Sequence, residues 1–191
     1  MRPRHPAPPK TLPRLWLMTD ERVGTELFAM LEALPAGAGI IFRHYATPPA
    51  ERRALFAAIA AIARRRRLVL IRAGKTRMPG EDGVHGAARL HGSAIRTWPA
   101  HTRSEALAGR RAGADLLLVS PVFATRSHPG KKPLGPLRAA AIMQGLDVPA
   151  VALGGMQARR HRRLANLGFY GWAAIDAWRP TRDQKRKAVP I

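Results

Sequence analysis

The 191-residue sequence contains no cysteine, which excludes disulfides and thiolate metal sites and permits a reducing compartment without proving one. Aromatic residues are few, at 6% with two Tyr and five Phe, and no stacking motif of the RNA-recognition type appears. No apolar run approaches the roughly 18 residues of a membrane span; the runs are short and bounded by Arg, Gly or Pro, so no membrane partner is expected. The opening MRPRHPAPPKTLPR is basic but lacks the apolar centre of a signal peptide, and a soluble cytoplasmic protein is the expectation. No G-x-G-x-x-G follows the first apolar run, which counts against dinucleotide binding.

Acidic residues are also scarce, with 12 Asp and Glu against 33 Lys and Arg, for a formal net charge of +21. Such a charge invites a nucleic-acid reading, since neutralised phosphates drive non-specific binding. The clusters RRRR (64–67), RRHRR (159–163) and RDQKRK (182–187) fall at a helix end, on a helix and in a tail. Together with the missing motifs, this argues against specific nucleic-acid recognition. Hydrophobic residues make up 46% of the chain, enough for one domain with a substantial core.

Runs rich in Val, Ile and Leu recur along the chain: LWLMT (15–19), GIIFR (39–43), LVLIR (68–72), DGVH (82–85), AIRTW (94–98), DLLLVS (115–120), PAVALG (149–154) and GWAAID (171–176). Near-continuous apolar strands without strict alternation suit a parallel sheet buried on both faces. Helical patterns lie between them. One opens at Thr47-Pro48-Pro49, carries Leu55, Ile59 and Ile62 at helical spacing and ends at RRRR. A T-x-x-E capping box at Thr102 and Glu105 opens a helix over 103–112, stopping at Gly113. Further helices are predicted over 136–144 and 158–167. The spacing between strands three, four and five is too short for full helices. The predicted fold is α/β, a single (β/α)8 TIM barrel with shortened or missing helices around strands 3 to 5. It spans 13–178, with basic tails at 1–12 and 179–191.

In such a barrel the C-terminal strand ends carry the site, and the last loops often hold phosphate. That rule selects Arg43 after strand two, His85 at the end of strand four, His101 after strand five, and Gly154-Gly155 after strand seven. After strand six comes SPVFATRSHPGKKPLG (120–135), with Thr125, Ser127 and His128 among basic residues. Hydroxyls, backbone amides and Lys or Arg are what phosphate oxygens need. Each feature also has a plain structural reading: a solvated connection, a tight glycine turn, a surface arginine, a hydrogen-bonded histidine. His85 and His101 do not share a metal-ligand spacing within one element, so no metal site is assigned.

The segments LWLMTD (15–20), DGVH (82–85), H-T-x-S-E-A (101–106), AGAD (112–115), SPVFATRSHPG (120–130) and VPAVALGGM (148–156) resemble the thiamine phosphate synthase and thiazole tautomerase family. The resemblance implies a (β/α)8 barrel in thiamine biosynthesis. Its synthase is a transferase that joins hydroxymethylpyrimidine diphosphate to thiazole phosphate, releasing pyrophosphate with Mg2+ assisting departure; a tautomerase-like isomerase is the other activity it implies. Its partners would be phosphorylated pyrimidine or thiazole small molecules, and a homo-oligomer stays open. Thr125 and Ser127 match the hydroxyl pair of the family's phosphate loop, and His128 stands where the synthase has lysine. Gly155 matches the glycine whose amide faces phosphate, and Arg43 the arginine of the strand-two motif. Tyr45 replaces that motif's lysine and Ile41 its glutamine. Ile71-Arg72 stands in place of the strand-three carboxylate motif, and HGAARL (85–90) has lost the other Mg2+ carboxylate. Ile175-Asp176 replaces a Val-Ser pair, and Pro121 replaces the tautomerase histidine. The alternative is therefore a non-catalytic binder of phosphorylated metabolites that has lost the Mg-dependent reaction.

Overall fold

The computed structural model of the chain describes residues 11–86, 94–127, 130 and 132–179. Both predicted basic tails and His128 lie wholly or almost wholly outside these residues. Eight parallel strands close into a barrel in sequence order: β1 Leu15–Met18, β2 Gly39–Phe42, β3 Val69–Ala73, β4 Gly83–His85, β5 Ile95–Ala100, β6 Leu116–Val119, β7 Ala150–Ala152 and β8 Gly171–Ala174. Closure runs through β8 beside β1, with Leu15 opposite Trp172 and Leu17 opposite Ala174. β2, β6, β7 and β8 are buried at every position. That is what unbroken apolar runs require when one face fills the barrel and the other meets helices.

The helices are α1 Glu26–Ala33, α2 Pro49–Arg66, α3 Arg103–Arg111, α4 Pro136–Met143 and α5 Ala158–Arg162. Proline opens α2 and α4 at their first turns, where its missing N–H costs nothing. α2 turns Phe56, Ile59 and Ala63 onto β1–β3 and ends with three arginines in its last turn. The capping box of α3 is formed: Glu105 N donates to Thr102 Oγ1 at 3.2 Å, and Thr102 N to Glu105 Oε2 at 3.1 Å. No helix occupies the connection from β3 to β4, as the short spacing predicts.

Strand seven is shorter than expected, Ala150–Ala152 within the run 149–154, and other elements also depart from the sequence expectation. α1 was not predicted, although Leu27, Met30 and Leu31 at helical spacing are its buried face. The helix predicted over 158–167 breaks after Arg162, and a 3-10 turn follows at Ala165–Leu167. All residues from 159 to 163 are Arg or His, and like charges one turn apart oppose helix continuation. Strand eight stops at Ala174 rather than 176. A 3-10 turn at Asp176–Trp178 then folds Trp178 back, stacking it on Trp172 at 5.1 Å and placing its Nε1 3.2 Å from the Trp16 carbonyl.

Replacing Thr102 with Ala removes the acceptor for Glu105 N and should cost about 1 kcal/mol. Chemical denaturation checks this; an unchanged midpoint would mean that the cap contributes nothing to the fold.

Candidate functional site

The exits of β6 and β7 are bound to each other. Val122 N donates to the Leu153 carbonyl at 2.8 Å and Phe123 N to the Gly154 carbonyl at 3.1 Å. Gly154 and Gly155 have φ of +95° and +58°, a left-handed region that costs other residues energy. There is also no room for a side chain. A Cβ on Gly154 would lie 2.8 Å from Pro121 Cα, and one on Gly155 2.4 Å from the Ala124 carbonyl oxygen. The far end of the loop returns to the same base, since Leu134 N donates to the Pro121 carbonyl at 2.9 Å and Gly135 N to the Val122 carbonyl at 3.0 Å. The stretch between is thus a closed excursion with a fixed foot. Within it, the Thr125 and Ser127 hydroxyls are 2.9 Å apart.

Arg43, at the exit of β2, has the anionic partner its position demands. Its Nη2 lies 2.8 Å from Asp20 Oδ2, and its Nε donates to the Thr19 carbonyl at 3.0 Å. Burial raises the Asp20 carboxyl pKa, but Arg22 and Arg43 outweigh that and hold it below the usual value. Arg52, which the sequence reading missed, reaches from α2 to the carbonyls of His44 at 2.9 Å and of Arg43 and Ala73 at 2.8 Å each. It clamps the exits of β2 and β3. Only its buried destination sets it apart from the other arginines of that helix, and sequence does not display a destination. Arg72, in the lost carboxylate motif, is a buried structural cation paired with Glu81.

On the β4–β5 side, His85 Nδ1 is 2.9 Å from Thr97 Oγ1. Burial, then the neighbouring Arg43 and His101 charges, push the His85 pKa down to about 4, so the ring is neutral near pH 7. His101 Nδ1 is 2.8 Å from the Ser120 carbonyl oxygen. A carbonyl only accepts, so Nδ1 carries a proton and donates it there.

These strand ends surround one cavity of about 1120 Å3. Arg43, His85, Thr125, Ser127, Gly154 and Gly155 all line it, together with His101, Ser120, Lys75, Arg160 and Asp176. Arg160 is a second residue that sequence reading missed, because it sat within a basic run read as a helix surface. Its Nη1 bonds the Gly155 carbonyl and its guanidinium lies 4.8 Å from the Phe123 ring centre. Asp176 turns toward the cavity but is compensated, with Arg126 Nη2 at 3.4 Å and Arg179 Nε at 3.2 Å. It therefore does not stand as a bare negative charge opposite an incoming phosphate.

The residues present do not fit Mg2+. Mg2+ is usually held by one or two carboxylates together with waters and substrate phosphates, and Asp20, Glu81 and Asp176 are each paired with arginine. Glu21 accepts from the backbone of Ala46 at 3.0 Å. Among the described residues no group of three or more His, Asp or Glu is placed to hold a metal ion, and no helix is long and apolar enough to cross a membrane.

Comparison with known proteins agrees with the barrel fold. The profile of the thiamine monophosphate synthase (TMP-TENI) family matches residues 15–178. Thiamine-phosphate synthase of Chloroflexus aurantiacus is 37% identical over 106 residues, covering 50% of this chain and 49% of that protein. The enzyme of the same name from Geobacillus kaustophilus is 35% identical over 125 residues, covering 58% of this chain and 55% of the relative. The chain thus spans about half the length of these curated relatives. Among solved structures, thiamine phosphate pyrophosphorylase from Pyrococcus furiosus superposes with a TM-score of 0.74 at 23% identity, covering 91% of this chain and 90% of that one. An N-acetylmannosamine-6-phosphate 2-epimerase from Clostridium perfringens matches with a TM-score of 0.55 at 12% identity, covering 91% and 90%. Both structural likenesses concern the barrel. The chain belongs to the thiamine monophosphate synthase family.

The low His85 pKa has a consequence for stability. An unfolded histidine titrates near 6.5 and folded His85 at about 4. Between these values the unfolded chain binds more protons, so this group removes stability as pH falls through that window and is silent above it. His85→Gln should lose that part of the pH dependence. Denaturation midpoints at pH 7 and pH 5 for both proteins check it, and equal pH slopes would contradict it.

Proposed function

We propose that this family member acts in thiamine biosynthesis on a phosphorylated heterocycle held in the mouth of its barrel, with the phosphate between the Thr125–Ser127 loop and Gly154-Gly155. The observation that carries this reading is the convergence of Arg43, His85, Thr125, Ser127, Gly154 and Gly155 from the ends of four strands onto one cavity. Hydroxyls and backbone amides suit phosphate oxygens. Met18, Leu118, Leu153 and Ile175 supply apolar lining for a ring. His85 adds a neutral imidazole that can meet a ring nitrogen or an exocyclic amine without adding charge, and the His101 ring is oriented beside it by the Ser120 carbonyl.

The volume bears on the reaction. At about 1120 Å3, the cavity lies at the upper end of the roughly 300–1,000 Å3 of small-molecule sites, a size compatible with two small heterocycles. That favours the coupling the family resemblance implies. The thiazole nitrogen bonds to the methylene carbon of hydroxymethylpyrimidine diphosphate, and the carbon–oxygen bond to pyrophosphate breaks. The second reading, a binder without turnover, is favoured by the arginine-paired carboxylates. Growth of a thiamine phosphate synthase-deficient strain on medium without thiamine separates them. Rescue by this chain supports the coupling; soluble expression without rescue leaves binding alone.

The phosphate placement is checked separately. Thr125→Val keeps the branched shape and removes one hydroxyl, and loss of a hydrogen bond to a charged group costs about 1.5–3 kcal/mol. Thiazole phosphate should bind the variant about tenfold or more weakly in calorimetric titration. Equal affinities would make the loop a solvated connection.

A further inference from the structure

The cations around the mouth differ in how far they are already neutralised. Arg43 is paired with Asp20, and Arg126 shares Asp176 with Arg179. Lys75 and Arg160 line the same cavity, and neither has a carboxylate within ion-pair distance among the described residues. Lys75 follows β3 and Arg160 follows β7. In a closed ring of eight strands taken in sequence order, those two exits are four strands apart, on opposite sides of the mouth. Arg160 is aimed by groups that leave its charge intact, the Gly155 carbonyl and the face of Phe123. A guanidinium held in this way loses little side-chain freedom on meeting phosphate and can bond it in two-pronged fashion.

The oxygen donors that would bind a divalent cation are committed elsewhere. We propose that this cavity binds its phosphorylated ligand without a divalent metal, with Arg160 and Lys75 supplying from opposite sides the charge a cation would otherwise bring. This rests on the reading that the cavity takes a phosphorylated ligand. The two anionic ends of a pair of bound heterocycles, or of one diphosphate and one monophosphate, would then each face a cation fixed to the protein. Anion affinity becomes a property of the folded chain alone.

The test is calorimetric titration of inorganic pyrophosphate into the full chain, once in excess EDTA and once in millimolar MgCl2, for wild type, Arg160→Met, Arg160→Lys and Lys75→Met. Wild type should bind with the same affinity in both buffers, within about twofold. Arg160→Met should bind about tenfold or more weakly in both, as expected when one charged hydrogen-bonding group is lost, and Arg160→Lys should recover part of the loss. If Arg160→Met fails to fold, Lys75→Met in the loop after β3 carries the same expectation. A tenfold gain from MgCl2 in the wild type, or unchanged binding in the neutralised variants, overturns the proposal. Thiazole phosphate titrated alongside tells which reading fails. Binding that is sensitive to Thr125→Val but strengthened by Mg2+ overturns metal independence and spares the phosphate site. Wild type that binds neither probe in either buffer overturns both.

Discussion

The site depends on how closely the backbone leaving β6 approaches the backbone leaving β7. Two amide–carbonyl bonds, from Val122 to Leu153 and from Phe123 to Gly154, bring the strands' exits into contact. The contact leaves no space for a Cβ at Gly154 or Gly155. A side chain at either position would push the loops apart and lose those bonds. Because the return of the loop at Leu134 and Gly135 bonds to Pro121 and Val122, the excursion carrying Thr125 and Ser127 is anchored at both ends to the same few residues. The backbone at both ends of that excursion is thus held beside Gly154 and Gly155 by main-chain bonds alone.

Electrostatics completes that frame. A chain with 33 Lys and Arg and 12 Asp and Glu cannot pair every cation, so which carboxylates are used matters. Around the mouth they hold structure: Asp20 fixes Arg22 and Arg43, buried Glu81 holds Arg72, and Asp176 ties Arg126 to Arg179. Buried Arg72 left without Glu81 would be costly, so that carboxylate is not free to serve a metal. The remaining positive charge faces the cavity through Arg160 and Lys75. On the proposed reading, this fixed cationic rim stands in for a divalent cation.

Much of this was legible in the sequence. The eight strands and the capped helix α3 are written in local patterns, apolar runs of strand length and a T-x-x-E start, which burial and capping chemistry turn directly into structure. Arg43, His85, Thr125, Ser127, Gly154 and Gly155 were legible as cavity-lining residues because barrel topology fixes where each strand end must lie. Arg52 and Arg160 were hidden for the opposite reason. Each sits among several arginines at helical spacing, and only tertiary contact, with the carbonyls of β2 and β3 or with Gly155 and Phe123, separates it from its solvated neighbours. Asp176 was visible as a residue but not as a pair, since its partners lie at 126 and 179. Helix α1 was overlooked despite a readable apolar face, and the break after Arg162 reflects charge repulsion that an apolar periodicity does not register.

The most direct test is a crystal structure of the chain grown with thiazole phosphate and no divalent cation. The phosphate should lie between the Thr125–Ser127 loop and Gly154-Gly155, within hydrogen-bond reach of both hydroxyls and of the Arg160 guanidinium, with the ring inside the barrel mouth. A phosphate bound elsewhere, or one reaching this place only through an added metal ion, would contradict the account.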